Sequence, residues 1–467
     1  MATSISKPVS FIARLAASIF FPQFKILGCD VDQTQTPAVL KKISIAAARD
    51  RSYETASRNL GDLADLDVPA KQCQRVAIRI GSERLDEQAS RIERYQQATI
   101  PQQRHGQPDD APQNNWMGRV AVVQGDGGRA QIRDDLWGQD KPRDKKHRWW
   151  RETQAGVLQT YLSKPSVEDP HAEVPDALTD PLWVIPKFNE IHRQHATSGQ
   201  PSNGAAETQD ESNSKPNVQE EELHRPGPPD EGTLDREGRK AENSRWSGGE
   251  PLVKTVIATR KGYDYLGLAL AAEAYHRGFN KAVSKAFMGD GLKVNWSLWA
   301  RHFPHYTPIT DLMHALSYVY AAAVACSATI EDGWALYVRW LGLVWSGDIS
   351  QVIEALKLLA ADREEPLEAV NRAITYLSNN ASRMKYAEYR RAGLPITTSL
   401  VESTQKQINY RIKGTEKFWR DEHLEPLLQL VADDLSDTHD RAAFWSRRQQ
   451  RHDGFRQRRR KTKTKDS

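Results

Sequence analysis

The chain has 467 residues, with 65 Lys and Arg against 61 Asp and Glu and a net charge of +4. That length exceeds one simple domain, so two to four units are expected. Three cysteines, Cys29, Cys73 and Cys326, are far apart and odd in number, which excludes an evident disulfide framework or cysteine metal site and points to a reducing compartment.

Near the start, SFIARLAASIFF carries Arg14 and is too short to span a bilayer. It lacks the small-residue cleavage pattern of a secretory signal. No acid precedes Asp30, which leaves an organellar presequence open beside the preferred reading, a packing helix. Residues 38–95 read as helices. ETASRNLGDLADLDVPAKQCQRVAIRIGSERL gives a helix, a turn at Asp67–Pro69 and a second helix. It is read either as a helix-turn-helix showing Lys71, Gln72, Arg75 and Arg79 to DNA, or as a plain helical hairpin used for dimerisation.

RVAVVQGDGGRAQIRDD follows at 119–135. Val120, Ala121, Val122 and Val123 make a continuous apolar run, as in a strand buried on both faces. Asp126 comes next, and Gly127 and Gly128 permit a tight reversal after which RAQIR returns as a second strand. Trp149 and Trp150, with the later Trp419, are read as core residues, with base stacking as the alternative. Residues 196–250 are rich in Pro, Gly, Ser and acids with Trp246 as their only aromatic, a composition that predicts disorder.

At 282–320 a short strand around Phe287 and Met288 delivers Asp290 into a glycine-flanked turn. A helix with Trp296 and Trp299 follows, then another strand, and Asp311 caps the next helix. His314, at i+3 from Asp311, is read as a site-bracing or phosphate-contacting residue, or else as a buried helix histidine. Residues 312–392 read as helices throughout. The stretch 386–419 puts Glu402 near the start of a helix, and Lys406, Asn409 and Lys413 recur at i+4, i+7 and i+11 from it, so the four draw one stripe while Ile408 and Ile412 face a core. Such a stripe fits an acid that holds a metal and cations that meet phosphates, Arg411 among them; the bland alternative is a solvated face. From Arg447 to the end, ten Lys and Arg stand against Asp453 and Asp466, a tail that attracts phosphate non-specifically.

The segments VVQGDGGRAQIR, WWRETQAGVLQTYL, MGDGLKVNW, HFPHYTPITDLMHALSYVYAAA and GLPITTSLVESTQKQINYRIKGTEKFW resemble the DDE transposases of bacterial insertion sequences. The similarity is to the Kra-type group and, more distantly, to Mutator-like transposases. It covers roughly residues 40–185 and 252–436. The resemblance implies an α/β fold, an RNase H-like catalytic core with an all-α insertion, preceded by an α-helical N-terminal region. It implies Asp126, Asp290 and Glu402 as catalytic and metal-holding acids, supported by Asp311 and His314. The beginning of the chain departs from the family pattern.

The expected organisation is a helical region at 1–105, the core at 110–185 and 252–311 around a polar insertion at 186–251, a helical subdomain at 312–395, the final catalytic helix region at 396–436 and a basic tail at 437–467. The expected activity is cutting DNA and joining it at element ends, two in-line displacements at phosphorus served by Mg²⁺ or Mn²⁺ on a few carboxylates. No nucleophile elbow or phosphate-cradling lysine loop is present. Expected partners are double-stranded DNA, the element's terminal inverted repeats and target DNA, engaged by a homo-oligomer in the bacterial cytoplasm, at the nucleoid, with no membrane. The alternatives are a catalytically inactive or domesticated DNA-binding protein of the same fold, and a structure-selective nuclease.

Overall fold

The computed structural model describes residues 35–108, 116–133, 149–198, 249–361, 367–414 and 416–450. The SFIARLAASIFF segment, the polar stretch 199–248 and the tail beyond residue 450 lie outside the described residues. The chain divides into two compact units. One comprises Met1–Tyr161, Pro251–Thr307 and Thr398–Ser467; the other comprises Leu162–Glu250 and Pro308–Thr397.

The first unit is built on a mixed α/β sheet. Its strands are β1 (Arg119–Arg133), β2 (Trp150–Leu162), β3 (Glu250–Thr259), β4 (Ser284–Gly289), β5 (Thr307–Thr310) and β6 (Phe418–Arg420). The order is β3-β2-β1-β4-β5, and β6 pairs with the far end of β1. The division between the units falls within β5. β1 and β4 are parallel, with Val120 opposite Ser284 and Gln124 opposite Met288.

β1 corrects one expectation. It does not reverse at Gly127 and Gly128 but runs straight through them to Arg133, so RAQIR is its own second half. A tight reversal needs a positive φ, and neither glycine has one. Their small size serves clearance instead: a Cβ on Gly127 would lie 2.8 Å from the Tyr263 hydroxyl, and one on Gly128 would lie 2.1 Å from Gln405 Nε2. The neighbouring strand is β2, which begins at Trp150.

Helices cover both faces of this sheet. Alternate residues of a strand face opposite ways. Ala121 and Val123 enter a core with Leu266 and Leu270 of α7 (Tyr263–His276), Leu298 of α8 (Lys293–His302), and Phe303. Ala130 and Ile132 enter the other core, with Ile43 of α1 (Pro37–Arg49), Leu60 of α2 (Tyr53–Ala64), Ile80 of α3 (Ala70–Gln97), Ile408 of α14 (Ser399–Ile412) and Leu427 of α15 (Asp421–Leu435). A short helix, α4 (Ile100–His105), follows α3. α3 is amphipathic: Cys73, Val76, Ala77 and Ile80 are buried, at the three- and four-residue spacing of one helical face. A helical stretch over 440–450 closes the described chain. There Arg447 pairs with Glu87 and Arg448 with Glu83, so the first two cations assigned to a free tail are spent within the fold.

The second unit holds α5 (Asp176–Thr179), α6 (Pro181–Ser198), α9 (Leu312–Cys326), α10 (Ile330–Ser346), α11 (Ile349–Ala361), α12 (Glu368–Asn380) and α13 (Tyr386–Arg391). α6 corrects the polar insertion's starting point at 186. Val184, Phe188 and Ile191 repeat at helical spacing and are buried, and Phe188 packs on Tyr320 and Tyr337. Arg390 binds Asp169 and lies 4.0 Å above the Trp345 ring. Among the described residues no helix is long and apolar enough to cross a membrane.

Candidate active site

The sheet fixes two of the three expected acids. Asp126 and Asp290 each lie two residues beyond the Gln124–Met288 pair of β1 and β4. Neighbouring strands run about 4.8 Å apart, so both acids lie just past the same end of the β1–β4 pairing. Asp126 Oδ1 accepts from its neighbour Gly127 N at 2.7 Å. Asp290 Oδ1 accepts from Leu292 N at 2.9 Å and from Asn295 Nδ2 at 2.8 Å, which closes an Asx turn into α8. Both acids are half-buried.

α14 brings the third. It lies on β1 through two anchors. Val401 N donates to Gln124 Oε1 at 3.2 Å, and Gln405 sits over Gly128 with no room for a Cβ between them. Gln124, Asp126 and Gly128 point the same way from an extended strand. Glu402 therefore stands between the two anchors on the helix as Asp126 stands between theirs on the strand. The Thr398 hydroxyl donates to Glu402 Oε1 at 3.1 Å. Expected core residues Ile408 and Ile412 are buried.

Two further residues reach these acids. Burial raises the Tyr263 phenol pKa above its ordinary value, and the charges of Asp290, Asp126 and Glu152 add to the rise. Tyr263 thus shares its surroundings with both acids. Asn295, 3% exposed, spends Nδ2 on Asp290 while its Oδ1 is buried without a partner. Sequence reasoning passed over both, although Asn295 lies within the quoted MGDGLKVNW segment.

The expected phosphate contacts fare unevenly. Lys406 is exposed on α14 and Asn409, half-buried, accepts from Gln405 Nε2. Lys413 lies past the helix, with an extended backbone at the C-cap, so it leaves the stripe; its Nζ is 5.8 Å from the Trp150 ring. Arg411 is a correction. It is 2% exposed, donates to the carbonyls of Ala47 and Arg51, and lies between the rings of Tyr53 and Trp419. A guanidinium packed there ties α14 to α1 and α2 and is not presented to DNA. Trp419 is likewise core, at 8% exposure. At the start of α3, Lys71 and Arg75 are exposed while Gln72 and Arg79 are half-buried. The helix is long and packs against α1, α2, α7 and α15, with one face buried along its length.

Asp311 and His314 belong to the second unit. Asp311 caps α9, accepting from His314 N at 2.9 Å, and the same Oδ2 is 2.8 Å from His314 Nδ1. Both side chains are buried. No family model and no curated protein matches the chain.

Proposed function

We propose that this chain is a metal-dependent DNA transposase with an RNase H-like core, cutting and joining DNA at the ends of its own element. One observation carries the reading: the β1–β4 register that sets Asp126 and Asp290 just past the same end of that pairing, beneath a helix that brings Glu402 over β1. The strand order β3-β2-β1-β4-β5 supports the core assignment.

The residues fit a hard divalent cation, since carboxylate oxygens are the ligands that Mg²⁺ prefers. Asp126, Asp290 and Glu402 would hold it, and Mn²⁺ is equally at home among oxygen donors. Bound there, the ion supplies charge neutralisation at phosphorus and an activated oxygen. The chain's own residues do the rest. Asn295 and the Leu292 amide orient the Asp290 carboxylate, and Thr398 orients that of Glu402. Lys406, exposed on α14, contacts backbone phosphate, with the element's terminal inverted repeats and target DNA as partners of a homo-oligomer.

A protein of the same fold that only binds DNA is the second reading. The three acids, present and held in oriented settings, favour the enzyme. The deciding experiment combines purified chain, a duplex carrying the inverted repeats that flank its coding region, and Mg²⁺ or Mn²⁺. Metal-dependent strand transfer supports the proposal; sequence-specific binding with no cleavage under either metal selects the binding protein.

A further inference from the structure

β1 contains an anomaly that the three acids do not explain. Its apolar run Val120–Val123 is followed by Gln124, which is fully buried at 0% exposure. A buried amide costs free energy unless its polar atoms find partners, and an apolar side chain of this size would continue the strand without that cost. The partners of Gln124 lie on two other elements. Its Oε1 accepts the Val401 amide of α14 at 3.2 Å, a hydrogen that Val401 shares with the Thr398 carbonyl. Its Nε2 lies 3.6 Å from Met288 Sδ on β4, its partner in the strand register.

The positions are what matter. Gln124 is two residues before Asp126, Met288 is two before Asp290, and Val401 immediately precedes Glu402. A single side chain thus touches all three acid-bearing elements, at one or two residues' remove from each acid. We infer that Gln124 is the positioning residue of the site: its amide sets how closely the first turn of α14 approaches β1 and β4, and so the separation of the carboxylates. This inference rests on the proposed metal-dependent reading. Gln124 touches no substrate. Its effect passes through backbone placement, in the way that residues behind metal ligands tune affinity by holding those ligands in orientation.

The test measures Mn²⁺ binding to the full chain without DNA, by the loss of the free-ion electron paramagnetic resonance signal, beside the thermal transition and the affinity for an element-end duplex. Gln124→Met keeps the side chain's length and approximate volume but removes the acceptor for Val401. Its expected Mn²⁺ affinity is about tenfold weaker than wild type, with duplex affinity unchanged. Gln124→Glu keeps an acceptor oxygen and is expected within about threefold of wild type, well inside the loss typical of a broken ligand-orienting contact. If the Met variant lacks a cooperative thermal transition, Gln124→Asn, which keeps the amide but draws its oxygen back from Val401 by one methylene, takes its place with the same expected loss.

Asp126→Asn serves as the reference. Mn²⁺ bound by wild type, lost in Asp126→Asn and unchanged in Gln124→Met overturns the positioning role while the metal reading stands. No Mn²⁺ bound by wild type overturns both. A tenfold loss in Gln124→Glu equal to that in the Met variant also overturns the inference, since the acceptor would then be irrelevant.

Discussion

Asp126 and Asp290 each follow the same register pair, Gln124↔Met288, by two residues, although more than a third of the chain separates them. The parallel pairing of β1 and β4 holds one constant offset from Val120↔Ser284 to Gln124↔Met288, and both acids come two residues after that last pair. Nothing local to either GDG segment creates this relationship. It arises because the chain leaves β1, builds β2, β3 and α7, and returns beside the strand it left.

Replacing Asp126, Asp290 or Glu402 by its amide should remove metal-dependent strand transfer, with losses on the order of a hundredfold or more, while affinity for element ends stays near wild type. The amides keep size and acceptor oxygens. Asp290→Asn in particular retains an Oδ1 for Leu292 N and Asn295 Nδ2, so it should fold normally. Strand-transfer rates beside filter binding measure both quantities. Wild-type strand transfer by Glu402→Gln would remove that acid from the site.

Two glycine substitutions should move stability in opposite directions. A Cβ on Gly81 of α3 would come within 2.2 Å of the Pro426 carbonyl oxygen in α15, whereas one on Gly61 of α2 meets nothing within 4 Å. Gly81→Ala therefore forces two backbones apart and should cost about 1–3 kcal/mol. Gly61→Ala should add about 0.5–1 kcal/mol by restricting the unfolded chain in a helical position. Urea unfolding of each variant reads the sign directly; a stabilised Gly81→Ala protein would contradict the packing of α3 on α15.

The sequence was most legible where one element's own pattern decided its fate. The VAVV run, the helical spacing of Ile408 and Ile412 and the cap at Asp311 are legible because each depends on near neighbours. The GDGG segment was misread because clearance and reversal both call for glycine, and only Tyr263 and Gln405, far along the chain, decide between them. Arg411 looked like a phosphate contact because its partners, Ala47 and Arg51, lie some 360 residues upstream. Gln124 left a readable trace, a polar residue interrupting a buried strand, but its two partners become visible only in the folded chain. Tyr263 left none.

Lys417 should titrate well below an ordinary lysine. Burial lowers its pKa from 10.5 to about 8, with the charges of Arg411 and Arg51 adding to the fall and Glu416 opposing it. Its Nζ donates to the carbonyls of Tyr410 and Arg411 at 3.1 Å. Between about pH 8 and 10.5 the unfolded chain binds the extra proton, so stability rises with pH across that window. Below pH 8 both states are protonated and the cost of burying the charge is present in full. Lys417→Met should therefore gain on wild type at pH 7 and lose that advantage by pH 10, as read by thermal melts. Pulsed acetylation with peptide mass spectrometry should find Lys417 half-reactive near pH 8; a first inflection above pH 10 would refute the shift.

Truncating Arg91 should be strongly destabilising. Its Nη1 donates to Glu273 Oε2 at 2.9 Å and to Asp440 Oδ2 at 2.8 Å, joining α3 to α7 and to the last described helix. Glu273 is 5% exposed, so Arg91→Ala leaves buried carboxylates without this cation, a loss on the order of 3–5 kcal/mol. The pH dependence follows from Asp440. Burial alone would raise its pKa, but the hydrogen bond and charge of Arg91 outweigh that and lower it below 3.8. In wild type this contribution is present above the unfolded value and is lost as pH falls through the lower folded one. In Arg91→Ala burial prevails and the carboxyl pKa rises, so the variant is penalised most at neutral pH and recovers relative stability in acid. The gap between wild type and Arg91→Ala should accordingly be widest near pH 7 and should narrow below about pH 4, the unfolded carboxyl range. Urea melts at a series of pH values measure the gap. A constant gap from pH 7 to pH 3 would mean that Asp440 owes its ionisation to something other than Arg91.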